Sequence, residues 1–198
     1  MTLEQLRPRL GHLLEFPARL LLRAGLTPNG CSAIAFVASV AAGIAFAFTQ
    51  VAWGVFLVGV NALLDGVDGA MARQMGTAGV RGDFLDHVLD RYADIFIIVG
   101  IIAGGLAPWP IGIFGLTGVL MTSYMGTQAQ AVGISRYYGG TLGRADRLLL
   151  LMLAGLITLA VPAGWMGLPW MGWLLLIFGI FGHATAIQRF VYVWRRIK

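Results

Sequence analysis

The sequence predicts an all-α integral membrane bundle of six transmembrane helices, with an N-terminal interfacial amphipathic helix and both termini cytoplasmic. Three observations carry that expectation. Of 198 residues, 58% are hydrophobic and the mean hydropathy is +0.80, which leaves too little polar surface for a soluble domain. The stretches 33–48, 95–107 and 148–161 contain no charged residue, and a spanning helix needs roughly 20 mostly apolar positions. The first, third and fifth connections contain no Lys or Arg, as in proteins whose cytoplasmic loops are basic.

Residues 1–25 make the first element. Leu3, Leu6, Leu10, Leu13 and Leu14 recur at helical spacing, with Glu4, Arg7 and Arg9 between them. That suits a helix in the membrane interface, or equally a short helix packed on the bundle. Charges ahead of any long apolar run are the wrong order for a signal peptide. Residues 26–198 make the transmembrane domain, with spans predicted at 32–50, 52–73, 83–106, 110–132, 144–162 and 168–193. Breaks fall at Thr49-Gln50, at 76–82, at Pro108-Trp109-Pro110, at Gly139-Gly140 and from Pro162 to Pro169, because Gly and Pro punctuate a helical pattern.

Charge tests the count. Arg7, Arg9, Arg19 and Arg23 precede the first span, Arg73 and Arg81 flank the second connection, and Arg136 and Arg144 flank the fourth. Arg189, Arg195, Arg196 and Lys198 close the chain. Only an even number of spans with both ends in the cytoplasm puts all of them on one side. The net charge of +5 is then a topology signal, and no nucleic acid is needed to explain it. Trp109, Trp165, Trp170 and Trp173 fit an aromatic belt on the opposite side. The single cysteine, Cys31, excludes an intramolecular disulfide framework and a cysteine-rich metal site.

All nine acidic residues lie on the basic side, six of them between Asp65 and Asp94. Asp65 and Asp68 are three apart at the end of the second span, and Asp86 and Asp90 four apart at the start of the third. Each pair shares a helix face, and a short connection makes the two helices expected antiparallel neighbours whose faces converge. Four carboxylates at that depth repel one another and are costly to desolvate. A divalent cation relieves both costs, and an all-oxygen donor set favours Mg²⁺ or Mn²⁺ over zinc or copper. The bland alternative is solvated acids at helix ends, satisfied by nearby Arg. Gly66, Gly69, Gly76, Gly79 and Gly82 surround the acids and leave room for a ligand, although glycine in membrane bundles more often serves helix packing.

Taken together, Asp65-x2-Asp68-Gly69-x2-Ala72-Arg73-x8-Gly82-x3-Asp86-x3-Asp90 resembles the signature of the CDP-alcohol phosphotransferases at every fixed position. The resemblance implies that Asp65, Asp68 and Asp86 hold Mg²⁺, as a pair of ions with Mn²⁺ as the alternative. It implies that Asp90 is the general base and also touches one metal. Gly69, Ala72, Arg73 and Gly82 would shape the nucleotide pocket. Thr27-Pro28-Asn29-Gly30-Cys31-Ser32 resembles the family's Pro-Asn-x-x-Thr turn, which makes Asn29 and Ser32 nucleotide contacts; a plain helix N-cap by Asn29 is the bland reading. The implied reaction moves a lipid-linked phosphoryl group from a CDP-lipid to an acceptor hydroxyl and releases CMP. It makes 26–198 a catalytic domain of phospholipid synthesis in the plasma membrane, with its site facing the cytoplasm and a homodimer as one implied assembly.

The acceptor is less legible. Asp86-x3-Asp90-Arg91-x2-Asp94 and Gly143-Arg144-Ala145-Asp146-Arg147 are similar to the inositol-phosphate-using branch. That implies an acceptor phosphate held by Arg144 and Arg147, three apart on one face, with Arg91 beside them. The stretch Gly126-Thr127-Gln128-Ala129-Gln130 departs from the branch, which carries Lys-x-Arg-x-Glu there. Either Arg136 substitutes, or the acceptor is glycerol phosphate or an unphosphorylated alcohol; Arg144 and Arg147 also fit simple cytoplasmic anchors. The lipid tail, diacyl or dialkyl ether, leaves no trace. Two readings lie outside the family. An intramembrane prenyltransferase usually carries its acidic motifs on well-separated helices, and an ion carrier puts charges near the midplane. His12, His87 and His183 carry no expected ligand role.

Overall fold

The computed structural model describes residues 14–134 and 142–197. The leucine repeat at Leu3 to Leu13, the break at Gly139-Gly140 and Arg136 lie outside the described residues. Within them the chain is helical: α1 (14–23), α2 (Pro28–Ala47), α3 (Val51–Met75), α4 (Val80–Ala103), α5 (Trp109–Ala131), α6 (Arg144–Ala160) and α7 (Trp170–Trp194). Among the described residues the one β feature is an isolated bridge between Trp165 and Leu168 in the α6–α7 turn.

Local chemistry sets the boundaries. α2 begins four residues before the predicted span because Thr27, not Asn29, is its cap: Thr27 Oγ1 accepts from the Gly30 amide at 3.1 Å and Pro28 fills the first turn, where its missing N–H costs nothing. α3 ends at Gly76, whose φ of 64° is the left-handed conformation that glycine tolerates. Thr77 N then donates to Ala72 O at 3.0 Å, closing the turn that reverses the chain into α4.

The helices from α2 to α7 close a ring. α2 packs on α3 and α4, α3 on α6, α6 on α7, α7 on α5, and α5 on α4. α3 and α4 both lean on α2, and their acidic faces converge as expected, with carboxylate oxygens of Asp65, Asp68 and Asp86 within 4.8 Å of one another. Phe46, Val58, Ile97, Ile101, Met171 and Leu175 fill the axis of the ring. Several backbone contacts are so close that only glycine fits. A Cβ on Gly100 of α4 would run into the backbone of Gly43 on α2, and one on Gly182 of α7 would lie 2.5 Å from the Gly118 carbonyl carbon of α5. Small residues that let backbones approach are the usual means of packing helices in lipid.

α1 rests on the outside of α2 and α3. Ala18 is buried, and Leu14, Leu21 and Leu22 pack toward Cys31, Val67, Ala70 and Met71. Phe16 and Leu20 remain exposed on its other side, and Gln74 of α3 donates to the Glu15 carbonyl at 3.1 Å. Three helices, α2, α3 and α7, are long and apolar enough to cross a membrane. α6 has 17 residues, and α4 carries its charges within its first four turns.

Candidate active site

The N-termini of α2, α4 and α6 and the C-terminus of α3 meet at one end of the ring. Each delivers polar side chains into a cleft of about 200 Å³ lined by Ser32, Asn61, Asp65, Asp68, Asp86, Asp90 and Arg144, with Ala35, Phe36, Leu89 and Ala93 as its apolar wall. The i,i+3 and i,i+4 spacings put each acidic pair on the face turned toward this gap. Asp65, Asp68 and Asp86 each offer a carboxylate oxygen, and the three lie within 4.8 Å of one another. Two oxygens on opposite sides of an ion at about 2.1 Å stand about 4.2 Å apart, so a small closure brings this all-oxygen set to the geometry of Mg²⁺ or Mn²⁺. The donor set fits a divalent cation.

The remaining polar groups hold the carboxylates in place. Ser32 Oγ donates to Asp68 Oδ2 at 2.6 Å, which ties α2 to α3. Arg144 Nη1 reaches Asp90 Oδ1 at 2.7 Å and also pairs with Asp65 Oδ1, so one guanidinium bridges α3 and α4 from α6. Its Nη2 lies 3.4 Å from Asn61 Oδ1, and Asn61 Nδ2 donates to the Ala35 carbonyl of α2 at 2.8 Å. The buried Nε of Arg144 has no partner among the described residues. Beyond Asp90, Arg91 Nη1 and Arg147 Nη2 meet Asp94 Oδ2 at 3.1 and 3.0 Å.

The predicted site residues are partly gathered. All four aspartates, Ser32 and Arg144 line the cleft. Arg91, the residue after Asp90, and Arg147, one turn beyond Arg144, are engaged with Asp94. Asn29 and Arg73 are exposed and Ala72 is half-buried near the same end. A Cβ on Gly82 would meet open space and one on Gly69 only Arg73 Nη1 at 3.5 Å, so neither glycine is there to let helices touch. Gly66 differs: its added Cβ would press on Leu14 of α1 at 3.1 Å. His87 Nδ1 turns back to Asp83, 2.7 Å from its carbonyl oxygen and 3.4 Å from its carboxylate.

Sequence reasoning missed Asn61 and gave Asp94 a place in a motif but no role. Asn61 stands four residues before Asp65, and Asp94 four after Asp90. Continuing each face by one turn would have found both.

A helical membrane bundle that collects oxygen donors and guanidiniums at one end is equipped to act on phosphate esters at a membrane. The sequence model of the CDP-alcohol phosphatidyltransferases matches residues 25–182, and the chain belongs to that family. It is accordingly an integral membrane transferase of phospholipid synthesis. Its sequence is 33% identical over 177 residues to the archaetidylinositol phosphate synthase of Methanothermobacter thermautotrophicus, covering 89% of this chain and 87% of that protein. The archaetidylinositol phosphate synthase of Pyrococcus horikoshii is 32% identical over 197 residues, covering 99% and 98%. Among solved structures, Mycobacterium tuberculosis phosphatidylinositol phosphate synthase with CDP-DAG bound superposes with a TM-score of 0.78 at 26% identity, covering 92% of this chain and 94% of that one. The same enzyme in complex with manganese and citrate gives 0.77 at 28% identity, covering 91% and 88%.

Proposed function

We propose that the chain transfers a phosphatidyl or archaetidyl group from a CDP-linked lipid to inositol 1-phosphate and releases CMP. The observation that carries this reading is the meeting of four carboxylates with Arg144, and of Arg91 and Arg147 just behind them, at one end of the ring. The inositol phosphate synthases among its relatives support the acceptor.

Asp65, Asp68 and Asp86 would hold Mg²⁺, as a pair of ions, with Mn²⁺ as the alternative. Bound there, the metal offsets charge on the transferring phosphoryl group and on the leaving phosphate. Asp90, held by Arg144, takes the proton from the acceptor hydroxyl. The hydroxyl oxygen bonds to the lipid-side phosphorus, the bond from that phosphorus to the bridging pyrophosphate oxygen breaks, and CMP leaves with the bonding pair. Ser32 fixes the Asp68 carboxylate, and Asn29, Gly69, Ala72, Arg73 and Gly82 form the nucleotide side. Arg144, Arg91 and Arg147 receive the acceptor's phosphate, whose charge suits guanidiniums.

The helices from α2 to α7 would span the plasma membrane, with both termini and the cleft in the cytoplasm. Every described Arg stands at the cleft end or beyond it, and Trp109, Trp165, Trp170 and Trp173 at the other. Residues 1–25 form the interfacial segment, with Phe16 and Leu20 toward lipid, and residues 26–198 the catalytic domain.

The deciding experiment is CMP release by purified protein with a CDP-lipid and Mg²⁺, screened against inositol 1-phosphate, glycerol 3-phosphate, serine and inositol. Release with inositol 1-phosphate alone is expected. Release with glycerol 3-phosphate instead keeps the mechanism and replaces the acceptor; no release with any acceptor removes the reading.

A further inference from the structure

Asp94 stands one turn beyond Asp90 on the same face of α4, outside both the metal triad and the base. Its side chain is 8% exposed and that of Arg147 is 10% exposed. One carboxylate oxygen, Asp94 Oδ2, takes both Arg147 Nη2 at 3.0 Å and Arg91 Nη1 at 3.1 Å. Arg91 then reaches with Nη2 to 3.8 Å from Asp90 Oδ2. The Asp94–Arg147 pair also borders a pocket of about 250 Å³ whose other walls are Ile97, Ile98, Val119, Leu148, Leu151 and Phe178.

Helix adhesion alone does not account for this arrangement. A buried ion pair holds two elements together no better than well-packed apolar residues of the same volume, because desolvation offsets the attraction. Two guanidiniums on one oxygen also repel each other. What the arrangement achieves is to hold two guanidiniums at fixed positions on one oxygen, Arg91 within 3.8 Å of the proposed base Asp90 and Arg147 on the facing helix α6.

We propose that Asp94 is a positioning residue that aims Arg91 and Arg147 at the acceptor's phosphate. The inference rests on the acceptor reading above and adds the group that sets its geometry. Rigid support behind a binding constellation is what keeps a polar site within the fraction of an ångström that productive binding requires.

The test is steady-state CMP release by the full chain in detergent, varying inositol 1-phosphate and the CDP-lipid separately. Asp94→Asn keeps the shape of the side chain and removes its charge. The acceptor KM should rise at least about tenfold while the CDP-lipid KM stays within about twofold, since charged hydrogen bonds are lost on one side of the site only. An unchanged acceptor KM, or an equal rise in both, overturns the proposal. Arg91→Ala and Arg147→Ala run beside it. If they raise the acceptor KM and Asp94→Asn does not, only the positioning role fails; if neither arginine moves it, the acceptor reading fails with it. Should Asp94→Asn not fold, Asp94→Glu keeps the charge and displaces both guanidiniums by one methylene. A several-fold higher acceptor KM at wild-type melting temperature is then expected, and an unchanged KM overturns the proposal.

Discussion

Arg144 Nη1 lies 2.7 Å from Asp90 Oδ1, and the same nitrogen pairs with Asp65. One guanidinium thus touches both the proposed base and a proposed metal ligand. Arg144→Ala should raise the acceptor KM about tenfold or more, the worth of a charged hydrogen bond, with a smaller effect on the CDP-lipid KM. The same variant should bind Mn²⁺ more tightly in a calorimetric titration, because a cation competing for Asp65 is gone. A KM effect confined to the lipid contradicts the assignment.

Asp90→Asn keeps an oxygen for Arg144 and loses the ability to take a proton. A general base contributes roughly 10²- to 10⁴-fold, so kcat should fall by at least about 10²-fold. Because Asp65, Asp68 and Asp86 remain, binding of the CDP-lipid, followed by equilibrium dialysis, should be nearly unchanged. Retained turnover would remove Asp90 from the base role.

Much of this architecture is legible in the order of residues. Each predicted span overlaps its helix to within about four residues, because Gly, Pro and uncharged runs act locally. The acidic end is legible for the same reason: i,i+3 and i,i+4 spacings fix a face without knowledge of neighbours. Neighbours themselves are not. Nothing local says that α2 packs against both α3 and α4, or that α6 reaches across to join Asp65 with Asp90, so Arg144 reads as an acceptor ligand in the sequence and as a bridge between carboxylates in the fold. Asn61 was harder to see: its one sequence signal is its place a turn before Asp65, and its role appears only when Ala35 O and Arg144 are placed beside it.

Ser32 was expected at the nucleotide, and its hydroxyl is found on Asp68 at 2.6 Å. A hydrogen bond to a ligating carboxylate fixes its orientation, and loss of such a partner typically costs 10- to 100-fold in metal affinity. Ser32→Ala should therefore weaken Mn²⁺ binding by about tenfold, while Ser32→Thr, which restores the hydroxyl, should recover most of it. An effect on the CDP-lipid KM with unaltered Mn²⁺ affinity would return Ser32 to the nucleotide side.

Gly100 and Gly82 sit on the same helix and separate packing from chemistry. A Cβ at position 100 meets the backbone of Gly43, which cannot rotate away, whereas one at 82 meets nothing within 4 Å. Gly100→Ala must push α4 off α2, at a cost of about 1–3 kcal/mol for an overpacked contact, and the shift carries Asp86 and Asp90 with it. Its melting temperature in detergent should drop and its activity fall in parallel. Gly82→Ala should leave the melting temperature at the wild-type value, so any rise in its CDP-lipid KM reports space needed by the nucleotide rather than by the fold. Equal melting temperatures for the two variants would show that the close approach of α2 and α4 does not hold the site together.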